Sequence, residues 1–264
     1  MANLKRDNHY LPECYQKGFA DSSGRVWVKL ANKLKPEPRR PRSVGRRRSL
    51  YIRTQNGVEN DAVEDFFDQQ VEAPFAALSQ RIKDEQNRFS ELSGPEGAVI
   101  CRFVASQTMR TLGHKQAIEE QAGKAVEGNV FIDVMLRKTW TLINSWLSNL
   151  PDLEFYTTLP DVCEQFITGD SPAVIMRFNA NPIWVPADEP KADIIDLSDI
   201  LKHPNHRFWL ALSPYVGVAI NSHGSGKSSL PPQFVEPRNV RFINDLVRCQ
   251  SLIFTLAKSR ESLG

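Results

Sequence analysis

The hydrophobic pattern changes character near the middle of the chain. From Asn60 to about Ile82, Val63, Phe67, Val71, Phe75, Leu78 and Ile82 recur at three- and four-residue steps, which predicts an amphipathic helix with one buried stripe. Pro74 removes a main-chain donor inside it and predicts a kink. Ser93-Gly-Pro-Glu is a helix-start pattern, with Pro95 near the first position and Glu96 at the positive end of the dipole. That helix is expected to run to about Gly123, and a third over roughly Asn129–Asn149, ending before Pro151.

Beyond Pro151 short apolar runs take over. Glu154–Thr158, Glu164–Thr168 and Ala173–Phe178 read as strands, and Phe208–Leu212 and Tyr215–Asn221 flank Ser213-Pro214 as a tight pair. Residues 179–206 form a loop-rich, proline-containing insertion, with a short helix expected near Leu197–Lys202. Arg25–Leu30 alternates with period two and predicts an N-terminal strand; Leu50–Arg53 suits a further short one. A last amphipathic helix is expected over Pro237–Ser259, carrying Val240, Ile243, Val247, Phe254 and Leu256. The expected fold is therefore α+β in a single domain over 1–264. A helix-rich N-terminal half (three long helices) packs with a small, mainly antiparallel sheet from the C-terminal half plus an N-terminal strand, and a C-terminal helix closes the chain.

Composition changes this picture little. Apolar residues at 41% and 264 residues suffice for a sizeable core, and no apolar run approaches a membrane span. The first residues lack the apolar stretch of a secretory signal, and Cys14, Cys101, Cys163 and Cys249 are too scattered for a disulfide or metal framework. The expectation is a soluble cytoplasmic protein with reduced thiols and no membrane partner.

Charge is more informative. Residues 33–53 form a basic arm of nine Lys and Arg against the single acid Glu37, including the run Arg46-Arg47-Arg48. Residues 54–72 then carry six acids and no base. Two readings compete: the arm grips the phosphates of a nucleic acid, or it lies against its acidic neighbour and is neutralised internally. With only Tyr51 interleaved, the arm makes a poor platform for stacking bases.

Several segments could carry chemistry. Glu64, Asp68 and Glu72 stand at successive four-residue steps, so the row faces either solvent or a cation. Phe103, Gln107, Arg110 and His114 follow a helical spacing that turns Gln107 and Arg110 partly inward and leaves His114 exposed. A buried Arg110 needs a carboxylate or phosphate, and Glu72 is the internal choice. His9 is held near the terminus by Tyr10, Leu11, Tyr15 and Phe19, which look made for burial. In Thr168-Gly-Asp-Ser-Pro172 a rigid turn positions the Asp170 carboxylate; Gly169 offers unusual backbone angles and Pro172 keeps Ser171 extended. Two decoys are set aside. Gly226-Lys-Ser228 lacks the first glycine of a phosphate loop and runs into Pro231-Pro232, and His203 and His206 have no third ligand nearby.

Together these segments resemble a bacterial family known as domain of unknown function 4238. The matching features are His9-Tyr-Leu-Pro12, Val26-Trp-Val28, Tyr51 after the basic stretch, Glu72, the run Gln107–Thr111, the Asp170 turn and Leu212-Ser-Pro214. The turn here reads Gly-Asp-Ser-Pro where Ser-Asp-Asn-Pro is commoner, so Asp170 and Pro172 are kept and the flanking polar groups differ. The resemblance implies that His9, Glu72, Arg110 and Asp170 converge; it implies no reaction.

Two functions follow as expectations. The first is a phosphodiester hydrolase of nuclease type. There His9 is the acid, base or ligand, Glu72 and Asp170 are ligands or base, and Arg110 stabilises phosphoryl charge. Gln107, Tyr51, Arg46, Arg47 and Arg48 would hold substrate, and Mg²⁺ or Mn²⁺ on His9, Glu72 and Asp170 would serve as cofactor. The second is a non-enzymatic binding or regulatory module whose basic arm meets RNA or an acidic partner.

Overall fold

The structure, a computed structural model, describes residues 4–84, 92–126, 128–149, 151–158, 164–178, 184–186, 201, 203–223 and 233–264. The N-terminal half contains strand β1 (Asp7–His9), a single turn α1 (Glu13–Gln16), and strands β2 (Val26–Leu30), β3 (Glu37–Arg39), β4 (Arg46–Arg48), β5 (Arg53–Gln55) and β6 (Val58–Asn60). Helices α2 (Ala62–Phe67), α3 (Ala73–Asp84), α4 (Gly94–Met109), α5 (Leu112–Ala122) and α6 (Gly128–Asn149) follow. The C-terminal half adds β7 (Asp152–Thr157), β8 (Thr168–Gly169), β9 (Ala173–Phe178), β10 (Trp184–Pro186), β11 (His206–Ala211), β12 (Val216–Asn221), β13 (Gln233–Phe234), α7 (Pro237–Gln250) and β14 (Phe254–Ala257).

The α+β class is as expected, but the strands divide differently. A six-stranded sheet runs β10-β9-β11-β12-β7-β13, antiparallel except for the β13–β7 edge. Its central β12 is buried along its whole length, which is why Val216–Asn221 reads as a continuous apolar run. The N-terminal strand β2 does not join this sheet. It pairs with β14 in a second, antiparallel sheet ordered β3-β2-β14-β8. The expected final helix thus stops at Gln250, and Phe254–Ala257 is a strand buried on both faces. Phe254 and Leu256 stand two apart, a strand period that the helical stripe before them disguises.

Helix formation in the first half is also more broken than the periodicity suggests. The stripe from Val63 to Ile82 is buried as expected. Between α2 and α3, however, Asp68–Glu72 forms a π-helical turn, in which the Ala73 N–H donates to the Asp68 carbonyl. Pro74 lacks an N–H and crowds the carbonyl four residues before it; one wider turn relieves that without ending the helix. The helix that opens at the Ser93–Glu96 capping box ends at Met109 and not at Gly123. At Arg110 the carbonyl accepts the Tyr51 hydroxyl at 2.8 Å, while the His114 N–H that would ordinarily reach it turns to Thr111 Oγ1 at 3.1 Å. Thr111 caps a new helix, α5, which does end at a left-handed Gly123.

One apolar cluster joins both halves, from Tyr10 to Leu263. Phe75 stacks on Phe103 with ring centroids 3.5 Å apart, and Tyr15 leans on both. Cys14, Cys101 and Cys249 are unbridged. Among the described residues no helix is long and apolar enough to cross a membrane. Most of the 179–206 insertion, its expected helix at 197–202 apart from Leu201, and the Gly226-Lys-Ser228 loop lie outside the described residues.

Candidate functional site

The N-terminal segment is fastened by its main chain. Gly45, with φ +65°, offers its carbonyl to the N–H groups of both Tyr10 and Leu11, and a side chain there would strike Leu11 Cβ at 2.5 Å. A glycine is thus required on conformation and on space. β1 then pairs antiparallel with β4, setting Asp7 opposite Arg48, Asn8 opposite Arg47 and His9 opposite Arg46. Residues opposite one another share a face, so Asp7, His9, Arg46 and Arg48 project together. Arg47 shares the other face with Asn8. Asn8 is buried and holds its neighbours, donating to the Lys5 carbonyl at 2.8 Å and accepting the Tyr51 N–H at 3.1 Å.

Arg110, at the end of α4, is the hub beneath this strand pair and is wholly buried. Its Nη1 donates to Glu72 Oε1 at 2.7 Å, its Nη2 to the His9 carbonyl and its Nε to the Tyr51 hydroxyl at 3.4 Å. The guanidinium also lies 4.2 Å from the Phe67 ring centroid and 5.2 Å from that of Tyr51. Burial opposes its charge, and Tyr51, Glu72 and Glu64 more than offset this. Glu72 belongs to the π-helical turn, so the irregularity near Pro74 lies where the ion pair forms.

Glu64 completes the cluster. Its pKa is pushed up to about 7, chiefly by burial, with Glu72 and Asp68 adding and Arg110 and the His9 main chain opposing. Glu64 also lines an open groove of about 570 Å³ together with Lys5, Arg6, Asp7 and Arg48.

The sequence-derived residues are therefore distributed as follows. His9, Glu72, Arg110 and Tyr51 meet, but His9 enters through its main chain; its imidazole Nε2 donates to the Arg42 carbonyl at 3.2 Å. Asp170 is buried, and its carboxylate accepts from the N–H groups of Ile253 at 3.1 Å and Phe254 at 3.3 Å. Burial raises its pKa against the pull of those N–H groups. Tyr10 too has its pKa raised by burial, with Asp170 and Tyr51 adding. Tyr15 ties the turn to the core: its hydroxyl donates to the Ala211 carbonyl at 2.6 Å and accepts from Thr168 Oγ1 at 2.9 Å. Gly169 is needed for space and not for φ: a Cβ would fall 2.0 Å from Ser251 Oγ.

Gln107 is wholly buried beside Ser106, its amide 3.5 Å from that hydroxyl. His114 is buried, not exposed, because the break at Arg110 re-aims α5; burial and then Lys138 lower its pKa to about 4. Among the described residues no three His, Cys, Asp or Glu side chains are grouped as a metal-ligand set. His9, Glu72 and Asp170 in particular face an Arg42 carbonyl, the Arg110 guanidinium and main-chain N–H groups in turn. The rings of His203 and His206 lie 4.5 Å apart.

Among the described residues no ion pair joins the two charged blocks, although Arg48 and Glu64 line one groove. The acidic stretch is engaged from elsewhere: Asp65 and Asp68 by Lys5 at 2.9 and 2.8 Å, Glu59 by Arg6, Glu72 by Arg110. Within the arm, Lys33 and Arg39 meet Glu37, Arg46 meets Asp7 at 3.2 Å and Arg53 meets Asp133 at 2.8 Å. Arg40, Arg42, Arg46, Arg47 and Arg48 are all exposed. Sequence reasoning did not single out Lys5, Arg6, Asp7 or Asn8. Their part depends on the pairing of β1 with β4, which three-residue polar strands do not announce.

A family model described as "Protein of unknown function (DUF4238)" matches residues 7–259. No curated protein and no solved structure matches the chain.

Proposed function

Because the chain belongs to DUF4238, a family of unknown function, we propose its role from geometry alone: it is a nucleic-acid-binding module that grips phosphodiesters with the arginines of β4 and the turn before it. The observation that carries this is the exposure of Arg40, Arg42, Arg46, Arg47 and Arg48 on a backbone fixed by β1 and by Gly45. Clustered arginine on a rigid support suits bidentate phosphate contacts at low ordering cost. The Arg46–Asp7 pair is exposed on both sides, and such pairs contribute roughly 0–1 kcal/mol, so a phosphate can displace it. The groove beside Arg48, walled by Lys5, Arg6, Asp7 and Glu64, gives the backbone a track next to that arginine.

The catalytic reading has less support. Arg110 is wholly buried with Glu72, His9 and Tyr51 around its guanidinium, and both Asp170 oxygens already accept N–H groups. Arg110 supports the binding strand from below through the His9 carbonyl, and Asp170 holds the connection before β14.

The test is a titration of labelled single-stranded RNA, single-stranded DNA and duplex DNA followed by fluorescence anisotropy, with the triple variant Arg46→Gln, Arg47→Gln, Arg48→Gln alongside. Saturable binding by the wild type, weakened tenfold or more in the triple variant, is the expected result. No binding to any of the three, or binding indifferent to the substitutions, would overturn the proposal.

A further inference from the structure

Glu64 stands in the groove wall, between the basic strand pair and the Arg110 cluster. The His9 main chain, in the strand that pairs with Arg46–Arg48, lies close enough to favour the ionised form of this carboxyl slightly. The Glu64 Oε2 is buried with no hydrogen-bond partner. A carboxylate so placed has lost water without gaining a full set of donors, which favours the proton-bearing form. Groups of both signs surround it, and the buried Tyr51 hydroxyl lies within its electrostatic reach. Arg110 at the end of α4 favours ionisation, while Glu72 and Asp68 in the π-helical turn oppose it. On the groove side stand Lys5, Arg6, Asp7 and Arg48, and the His9 imidazole shares the strand face of Arg48.

We propose that phosphate binding in this groove is linked to a proton held by Glu64. The inference rests on the nucleic-acid reading above. With its carboxyl neutral, the groove meets a phosphodiester with Arg48, which joins no ion pair among the described residues, while Lys5 is held by Asp65 and Asp68 and Arg6 by Glu59. Once the carboxylate forms, it repels that same phosphate across a partly dehydrated wall. Linkage is reciprocal, so a bound phosphate strengthens the hold of Glu64 on its proton and binding near neutral pH draws a fraction of a proton from solvent. The only covalent change is the O–H bond at Glu64. The midpoint near 7 puts the transition in the range where a small change of pH matters.

The experiment uses the full chain and a uridine-only single-stranded RNA, whose bases stay uncharged between pH 6 and pH 8. Calorimetric titrations at pH 7 in two buffers of different ionisation enthalpy measure proton uptake, and anisotropy at pH 6 and pH 8 measures affinity. Expected for the wild type is net uptake of up to about half a proton at pH 7, where free Glu64 is already half protonated, and binding about tenfold tighter at pH 6 than at pH 8. Glu64→Gln, similar in shape, should bind at both pH values with the affinity of the wild type at pH 6 and take up no proton. Wild-type pH dependence and uptake persisting in Glu64→Gln would overturn the proton link and assign it to another group, the His9 imidazole first. That outcome leaves the groove reading intact, whereas absence of wild-type binding at either pH would sink both. A carbon-13 titration of the Glu64 carboxyl, free and RNA-bound, gives a readout that needs no variant. Its midpoint must rise on binding, and an unmoved midpoint would overturn the proposal.

Discussion

Arg110 and Glu72 form a buried ion pair of 2.7 Å across the α4 terminus and the π-helical turn, with the arginine wholly enclosed and the Glu72 side chain 16% exposed. A dehydrated pair of this kind costs several kcal/mol to bury, so its attraction does not measure its worth. Removing one member, though, leaves the other charge stranded. Glu72→Leu and Arg110→Met should each lose about 3 kcal/mol or more in urea unfolding. The double variant Arg110→Met, Glu72→Leu should lose less than the two single losses combined. Equal and additive losses would mean that the pair is not coupled.

Asp170 should act on stability through the connection after α7. Its oxygens hold the Ile253 and Phe254 N–H groups, and Asn would present one amide N–H to them. Hydrogen bonds to a charged acceptor are worth roughly 1.5–3 kcal/mol, so Asp170→Asn should destabilise by about 2–4 kcal/mol. Exchange of the Phe254 amide hydrogen should accelerate with it, and a thermal midpoint unchanged by the substitution would contradict this role.

His114 makes the fold acid-sensitive. Its folded pKa of about 4 lies below the unfolded value near 6.5, so between these the unfolded chain binds more protons. Stability is full above pH 6.5 and lost as pH falls to 4, by about 3 kcal/mol in all. Urea midpoints for the wild type and His114→Met across pH 4–7 read this directly. The variant's curve should be flatter than the wild type's.

Glu64 works in the opposite direction. Its folded pKa of about 7 exceeds the unfolded 4.5, so stability falls as pH rises from 4.5 through 7. Glu64→Gln should gain up to about 3 kcal/mol at pH 8 and almost nothing at pH 4.5. A gain of equal size at both would remove the ionisation from the account.

Much of this was legible in the sequence, and the misses share a cause. The stripe from Val63 to Ile82 and the burial of Tyr10, Leu11, Tyr15 and Phe19 follow from side-chain periodicity and apolar content, and both hold. The Arg110–Glu72 pair was legible too, because a buried guanidinium has few acceptable partners. What failed depends on long-range main-chain bonds. The Tyr51 hydroxyl takes the Arg110 carbonyl and breaks a helix that its own spacing would continue, and so turns His114 inward. Pairing with Val26–Leu30 makes a strand of Phe254–Ala257. His9 was read as an imidazole, yet it reaches Arg110 through a carbonyl that every residue possesses.

The most direct measurement of the central claim is the salt dependence of single-stranded RNA binding, wild type against Arg46→Gln, Arg47→Gln, Arg48→Gln. Each phosphate neutralised contributes a slope of about −0.7 to log K against log salt concentration. The exposed Arg40, Arg42, Arg46, Arg47 and Arg48 should give about −3.5, and the triple variant a line shallower by about 2. Parallel lines for the two proteins, or a wild-type slope near zero, would contradict the assignment of this strand as the phosphate-binding surface.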